Sequence, residues 1–302
     1  MSIIGFEQIK LKLDNSYQNN KLHHANLIFG KKGLGKASFI KQFCLEKLNR
    51  PDDLTHPNFR VITKPIDKSS IAIEQIRKDL FDFFNLTSAY DQPKFVLIDS
   101  ACQLNKASNA ILKALEEPQN NCYIFLIAHN LSAILPTIKS RCNLISAPNL
   151  NDQQFHQILQ NHNLQFDIHT SKFLQLITDN SPAWAIELND NLINAYQILL
   201  KSILNKKVDE DFFKFLTEKN NNSAIIEKVI TFFFQRLIFE FEGLNSQHYF
   251  QEQEVFSCIC TKISKENCLE KIEVINKNLS LTSSIYLDKK LFIYNFFNQF
   301  IL

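Results

Sequence analysis

Leu27-Ile28-Phe29-Gly30-Lys31-Lys32-Gly33-Leu34-Gly35-Lys36 is the stretch that decides the fold of this 302-residue chain. A short apolar run ends in a glycine-rich turn, and a helical pattern opens at Lys36 and runs to about Leu48. That strand, loop and helix context is what the P-loop pattern requires. Glycines let backbone N–H groups wrap phosphates, the helix N-terminus adds partial positive charge, and the lysine reaches the outer phosphates. Gly30, Gly33, Gly35 and Lys36 are therefore candidate nucleotide-binding residues. The pattern next wants Ser or Thr to hold magnesium. Ala37 stands there, and a hydroxyl comes only at Ser38. One helical step turns a side chain by ~100°, so Ser38 replaces the missing ligand only if the loop is reshaped.

Working outward, the first half alternates. A strand is predicted over 59–63 and an amphipathic helix over 71–84, with Ile73, Ile76, Leu80 and Phe83/Phe84 on one face. A buried strand follows at 95–98, a helix at 105–115 stopped by Pro118, and another buried strand at 123–128. Strands alternating with helices imply an α/β fold with a parallel sheet flanked by helices. After about Leu144 and Pro148 the pattern is helical, over 152–160, 168–178, 181–204, 209–216, 223–240 and a long final stretch. Polar breaks fall at 205–208 and 218–222. The expected layout is a P-loop nucleotide-fold domain over 1–147, a small helical domain over 148–205 and an all-α C-terminal domain over 206–302. The apolar pattern of Ile225, Ile226, Val229, Ile230, Phe233 and Phe234 is broad for a small exposed domain, so 206–302 is expected to drive oligomerisation.

Phe95-Val96-Leu97-Ile98-Asp99-Ser100 is an apolar strand ending in Asp, as in a Walker B strand whose Asp assists magnesium. A strand-end cap is the plainer role for Asp99. Hydrolysing AAA+ proteins usually place a Glu next, to activate water. Here Ser100 follows, a poor general base without a neighbour to deprotonate it. His129-Asn130, after the strand at 123–128, stands where such folds keep a polar phosphate sensor. Asn130 is equally suited to cap a loop.

The most specific residues are Asn109-Ala110-Ile111-Leu112-Lys113-Ala114-Leu115-Glu116-Glu117-Pro118 and Leu135-Pro136-Thr137-Ile138-Lys139-Ser140-Arg141-Cys142. With His24-Ala25 and Ile73-Glu74-Gln75-Ile76-Arg77, they resemble the clamp-loader subunits of bacterial DNA polymerase III, members of the AAA+ P-loop ATPase family. The resemblance covers roughly the first half of the chain, motif by motif and in order; the second half matches only in its helicity. It implies an AAA+ domain, a helical lid and a C-terminal collar. It also implies a role in DNA replication, in a five-part ring that opens the sliding clamp and places it on primer–template DNA. Arg141 of the Ser-Arg-Cys signature would act as an arginine finger on the ATP of a neighbour, where the bland alternative is a surface salt bridge.

Within the family, motor subunits carry intact magnesium-site residues, a Glu after the Walker B Asp and a four-cysteine zinc module. Here 41–61 contains Cys44 alone, and Asn180-Ser181-Pro182-Ala183-Trp184-Ala185 lacks the phosphate-sensing arginine. Degraded ATP chemistry beside a retained Ser-Arg-Cys fits a non-hydrolysing subunit. Its implied partners are the gamma/tau motor subunits, delta, the sliding clamp, and primer–template DNA through the assembly. No cofactor is required for that role, ATP or ADP binding at the degenerate loop stays open, and polymerase activity belongs to the complex. The alternative is an active motor-type ATPase using Lys36, Asp99 and an unorthodox water-activating group.

The remaining composition excludes more than it proposes. Hydrophobic residues at 45% and charged residues at 21% give an ordinary globular balance, and a net charge of +2 advertises neither nucleic acid nor membrane. Lys31 and Lys32 suit DNA phosphates, nucleotide or plain solvent. Seven cysteines without a CxxC pair argue against a disulfide framework and a four-thiolate zinc site, so no metal is expected. Cys258, Cys260 and Cys268 read as small residues packed in a helical region. Neither a signal peptide nor an apolar span is visible, and a cytoplasmic location is the default expectation.

Overall fold

Five short runs rich in Ile, Leu, Val and Phe pair side by side, all parallel: β1 (Ala25–Phe29), β2 (Phe59–Ile62), β3 (Lys94–Ile98), β4 (Cys122–Ala128) and β5 (Asn143–Ser146), in the order β2-β3-β4-β1-β5. Every residue of β3 is buried, as a strand covered on both faces demands. The computed structural model describes residues 4–50, 55–65, 70–86, 88–89, 92–104, 107–207 and 222–282. The chain divides into two units, Met1–Ile158 with Asn180–Ala183, and Leu159–Asp179 with Trp184–Leu302.

In the first unit, helices α1 (Glu7–Gln18) and α2 (Lys36–Lys47) line one face of the sheet, where Phe43 meets Phe125 edge-on at 5.8 Å and Tyr17 meets Tyr123 at 6.3 Å. The other face packs Leu27, Val96 and Leu126 against the helical residues Ile76, Leu80 and Ile111. The helix expected over 71–84 is continuous but not uniform. It runs as α3 (Ile73–Ile76), a π-helical segment Arg77–Asp82 and α4 (Phe83–Asn85). The wider i→i+5 turn still brings Ile76, Leu80, Phe83 and Phe84 to the core. The helix predicted over 105–115 is α5 (Ser108–Glu116), with 105–106 outside the described residues. A short α6 (Pro136–Lys139) leads to Arg141.

Two elements of this unit have little local signature. α1 has only Ile9 and Leu13 buried, while Leu11 is exposed. It is tied to α2 by Lys10–Glu46 at 2.5 Å and by Lys47–Asp14. β5 is a strand because Asn26 to Phe29 pair with Asn143 to Ser146, not because of any apolar run of its own.

The second half is helical as expected: α7 (Asp152–Asn161), α8 (Ile168–Ile177) and α9 (Pro182–Leu204), then Asn222–Phe241, Glu252–Cys260 and Lys265–Thr282. The helix read over 209–216, all but Asn222 of the break read over 218–222, and 283–302 of the final stretch lie outside the described residues. Ile225, Ile226, Val229, Ile230, Phe233 and Phe234, read from the sequence as an association surface, are all buried within this chain. A broad apolar face is what a helix shows when its own unit surrounds it. In the second unit Phe173 packs against Tyr196 at 5.3 Å and Phe232 at 5.6 Å. Among the described residues no helix is long and apolar enough to cross a membrane, and no cluster of three or more His, Cys, Asp or Glu could hold a metal ion.

Candidate functional site

The P-loop connects the end of β1 to the start of α2, so the first N–H groups of α2 open onto it. Gly33 and Gly35 adopt φ of +81° and +88°, backbone that side chains rarely take, and these turns aim the loop amides together. Lys36 is 3% exposed, and its Nζ donates to the carbonyls of Gly30 (2.7 Å) and Lys31. Burial lowers its pKa to about 8, with Asp99 and then Cys102 pulling back upward. The lysine and Asp99 thus share one electrostatic site. The loop is also engaged from the other side: Ala183 N–H donates to the Gly33 carbonyl at 3.3 Å, and a Cβ on Gly33 would sit 1.9 Å from Ser181 Oγ. Where a P-loop holds magnesium, Ala37 offers no oxygen, and Ser38 is exposed on α2.

Beside Lys36, Ser100 takes a left-handed backbone (φ 60°, ψ 51°) directly after Asp99. Such conformations in a non-glycine residue cost roughly 1–3 kcal/mol and cluster at functional sites. Its Oγ lies 3.2 Å from His129 Nε2. Burial lowers the His129 pKa and Lys36 pushes it down further, against Asp99. The neutral imidazole so favoured can accept the serine proton. His129 Nδ1 is buried with no hydrogen-bond partner among the described residues. Asn130 is exposed, and its Oδ1 accepts from the Ser132 N–H (2.9 Å) and the Ser132 hydroxyl (2.7 Å), capping the next turn. The fold therefore gathers Gly30, Lys36, Asp99, Ser100 and His129, and leaves Ser38 and the Asn130 side-chain oxygen turned to other surroundings. The serine–histidine pair was legible only as two separate positions, since nothing in local spacing joins the end of β3 to the end of β4.

Arg141 belongs to a different place. β1 and β5 run parallel; the P-loop follows the C-terminal end of β1, while Arg141 precedes the N-terminal end of β5. Its guanidinium Nη1 donates to Thr137 O and Ser140 Oγ, both at 3.1 Å, and Nη2 meets Glu116 Oε1 at 2.8 Å. Glu116 comes from the Leu-Glu-Glu-Pro end of α5, so the two signature segments meet at this ion pair. Burial pushes the neighbouring Cys142 thiol up to about 12, which suits packing rather than reactivity.

Residues 5–151 match the family model described as DNA polymerase III, delta subunit. DNA polymerase III subunit delta' of Pseudomonas aeruginosa is 35% identical over 136 residues, which are 39% of this chain and 41% of that protein. Subunit delta' of Bacillus subtilis is 30% identical over 223 residues, covering 67% of this chain and 65% of the relative. Subunit gamma of Buchnera aphidicola subsp. Schizaphis graminum is 29% identical over 253 residues, covering 74% and 68%. The match to the family model falls on the α/β half, where the Leu-Glu-Glu-Pro and Ser-Arg-Cys segments lie. Over its α/β half the chain is thus similar to the clamp-loader subunits of DNA polymerase III, delta-prime and gamma among them.

Proposed function

We propose that this chain is a non-hydrolysing clamp-loader subunit that supplies Arg141 to the ATP site of a neighbouring subunit, supporting placement of the sliding clamp on primed DNA. The observation that carries this is the position of Arg141 at the end of the sheet opposite its own P-loop. Four residues of β5 span about 13 Å, so the guanidinium, held by Thr137, Ser140 and Glu116, stands at the far end of the strand from its own P-loop. A permanently charged, forked donor at a surface suits a phosphate presented by another chain. Ala37 in place of the magnesium hydroxyl and Ser100 in place of the water-activating Glu support a passive P-loop. On this reading the partners are the gamma/tau motor subunits, delta, the clamp and, through the assembly, primer–template DNA. The division at 147 and 205 into AAA+, lid and collar domains goes with it.

The test is steady-state ATP hydrolysis by a loader reconstituted with gamma/tau, delta, clamp and primed DNA. Arg141→Ala should leave assembly intact and lower hydrolysis and clamp loading. A finger is worth ~10³–10⁵ at the site it serves, and the ring loses less because its other sites keep theirs. Arg141→Lys should rescue poorly, because a point charge lacks the planar fork. Full activity in the alanine variant would refute the role.

One observation favours the second reading, an active ATPase. His129 Nε2 supplies Ser100 with the proton acceptor a water-activating serine needs. Turnover by the purified chain that vanishes in both Lys36→Ala and His129→Ala would establish that reading instead.

A further inference from the structure

Among the described residues β5 is the last strand of its sheet, with no strand on its outer edge. Ala147 N–H donates to Phe29 O on β1. By the two-residue period of a strand, Asn143 and Ile145 also turn their backbone groups to β1, and Leu144 and Ser146 turn theirs outward. Among the described residues no group pairs with the outward amides and carbonyls of Leu144 and Ser146. Leu144 is 44% exposed, unusual for the apolar residue of a strand. Within its four residues the edge carries no proline, no charge and no bulge.

A groove of about 790 Å³ runs beside this edge, walled on the other side by α1. Its lining includes Lys12, Lys21, His23 and Arg141 and not one Asp or Glu. Arg141 is already paired with Glu116, whereas Lys12 and Lys21 are exposed and without an ion-pair partner among the described residues. Ile9, Leu13 and Leu22 give the groove apolar wall. Open strand pairing, an apolar wall and an unbalanced positive rim meet in one place.

We propose that the open edge of β5 is a docking strand that takes an extended acidic peptide segment of a partner protein. Backbone pairing to Leu144 and Ser146 would give the affinity and the lysines would select the charge, the usual division of labour in β-strand addition. Nucleic acid fits the rim but not the edge, because a phosphate backbone accepts hydrogen bonds and cannot donate to the Leu144 and Ser146 carbonyls. The inference does not depend on the role proposed for Arg141.

The experiment uses the full chain and three fluorescein-labelled probes: an alternating Glu-Val peptide, the same peptide with Lys for Glu, and a single-stranded oligo-dT. Anisotropy should saturate with the Glu-Val peptide and stay flat with the Lys-Val one. Hydrogen exchange should slow at the Leu144 and Ser146 amides when the Glu-Val peptide binds. Lys12→Glu with Lys21→Glu, both on exposed positions, should weaken binding about tenfold or more, the size of one or two lost charge-assisted contacts. Ser146→Pro, which removes an outward N–H and spares the pairing to β1, should weaken it as well. Equal binding of the two peptides, unchanged exchange at Leu144 and Ser146, preference for oligo-dT, or no binding by any probe would each overturn the proposal.

Discussion

Lys36 is a cation in surroundings that disfavour its charge. Its pKa is lowered to about 8 by burial. Below about pH 8 folded and unfolded chains are both protonated, and the fold carries the full cost of the buried charge. Between about 8 and the ordinary lysine value of 10.5 only the unfolded chain keeps the proton, so this group makes stability rise with pH through that window. The denaturant midpoint of the wild type should rise relative to that of Lys36→Met through that window, and the difference between them should stay constant below it. The loop glycines make a second residue-level prediction. Gly35 has open space where a Cβ would point, so Gly35→Ala should cost only the strain of φ +88°, about 1 kcal/mol. Gly33→Ala should cost clearly more, because its Cβ would meet Ser181 Oγ at 1.9 Å. Ser181→Gly should recover much of that excess in a double-mutant cycle read by thermal unfolding. Equal losses at the two glycines would show that the Ser181 contact is absent in solution.

At the scale of elements, the helical run from Ile73 to Asn85 ends on a residue of the next strand. Lys94, the first residue of β3, is 4% exposed, and its Nζ donates to the carbonyls of Phe83 (2.9 Å), Phe84 (3.2 Å) and Leu86. Those are the carbonyls a helix C-terminus leaves unpaired, and a cation there also meets the negative end of the helix dipole. The ammonium lies 5.4 Å from the Phe83 ring centre as well. Lys94→Met keeps the length and apolar stem but leaves those acceptors unsatisfied. The expected loss is about 2–3 kcal/mol, visible as a lower denaturant midpoint with faster amide exchange along 73–86. An unchanged midpoint would mean that water replaces the lysine there. Nothing in the local sequence marks Lys94 as buried; only the packing of this helix over β3 makes it a cap.

At the scale of the molecule, the second unit is organised around Glu252, which is fully buried. It accepts from Tyr196 Oη, from Arg236 Nη2 (2.8 Å) and Nε, and from the Tyr249 N–H (2.9 Å). Removing one partner of a buried ion pair costs about 3–5 kcal/mol because the other charge is stranded. Glu252→Ala should therefore destabilise the second unit selectively. The single tryptophan, Trp184, lies in that unit and reports on it. Its fluorescence transition should shift to lower denaturant, while amide exchange in β1 and β4 reports an intact P-loop unit. Loss of both together would show that the two units unfold as one.

The sequence by itself determined the P-loop, the strands at β1, β3 and β4, the helical second half and the substitutions Ala37 and Ser100. Each of these is written in a local period or in a motif whose members are neighbours along the chain. The tertiary structure alone decided that 143–146 is an edge strand, that Arg141 stands at the far end of the sheet and is met by Glu116, and that His129 reaches Ser100. It also decided that Ile225, Ile226, Val229, Ile230, Phe233 and Phe234 are buried within the chain, as are Lys36 and Lys94. Pairing across a sheet, and the loss of water around a charge, depend on residues far apart in the chain, and no local pattern carries that information.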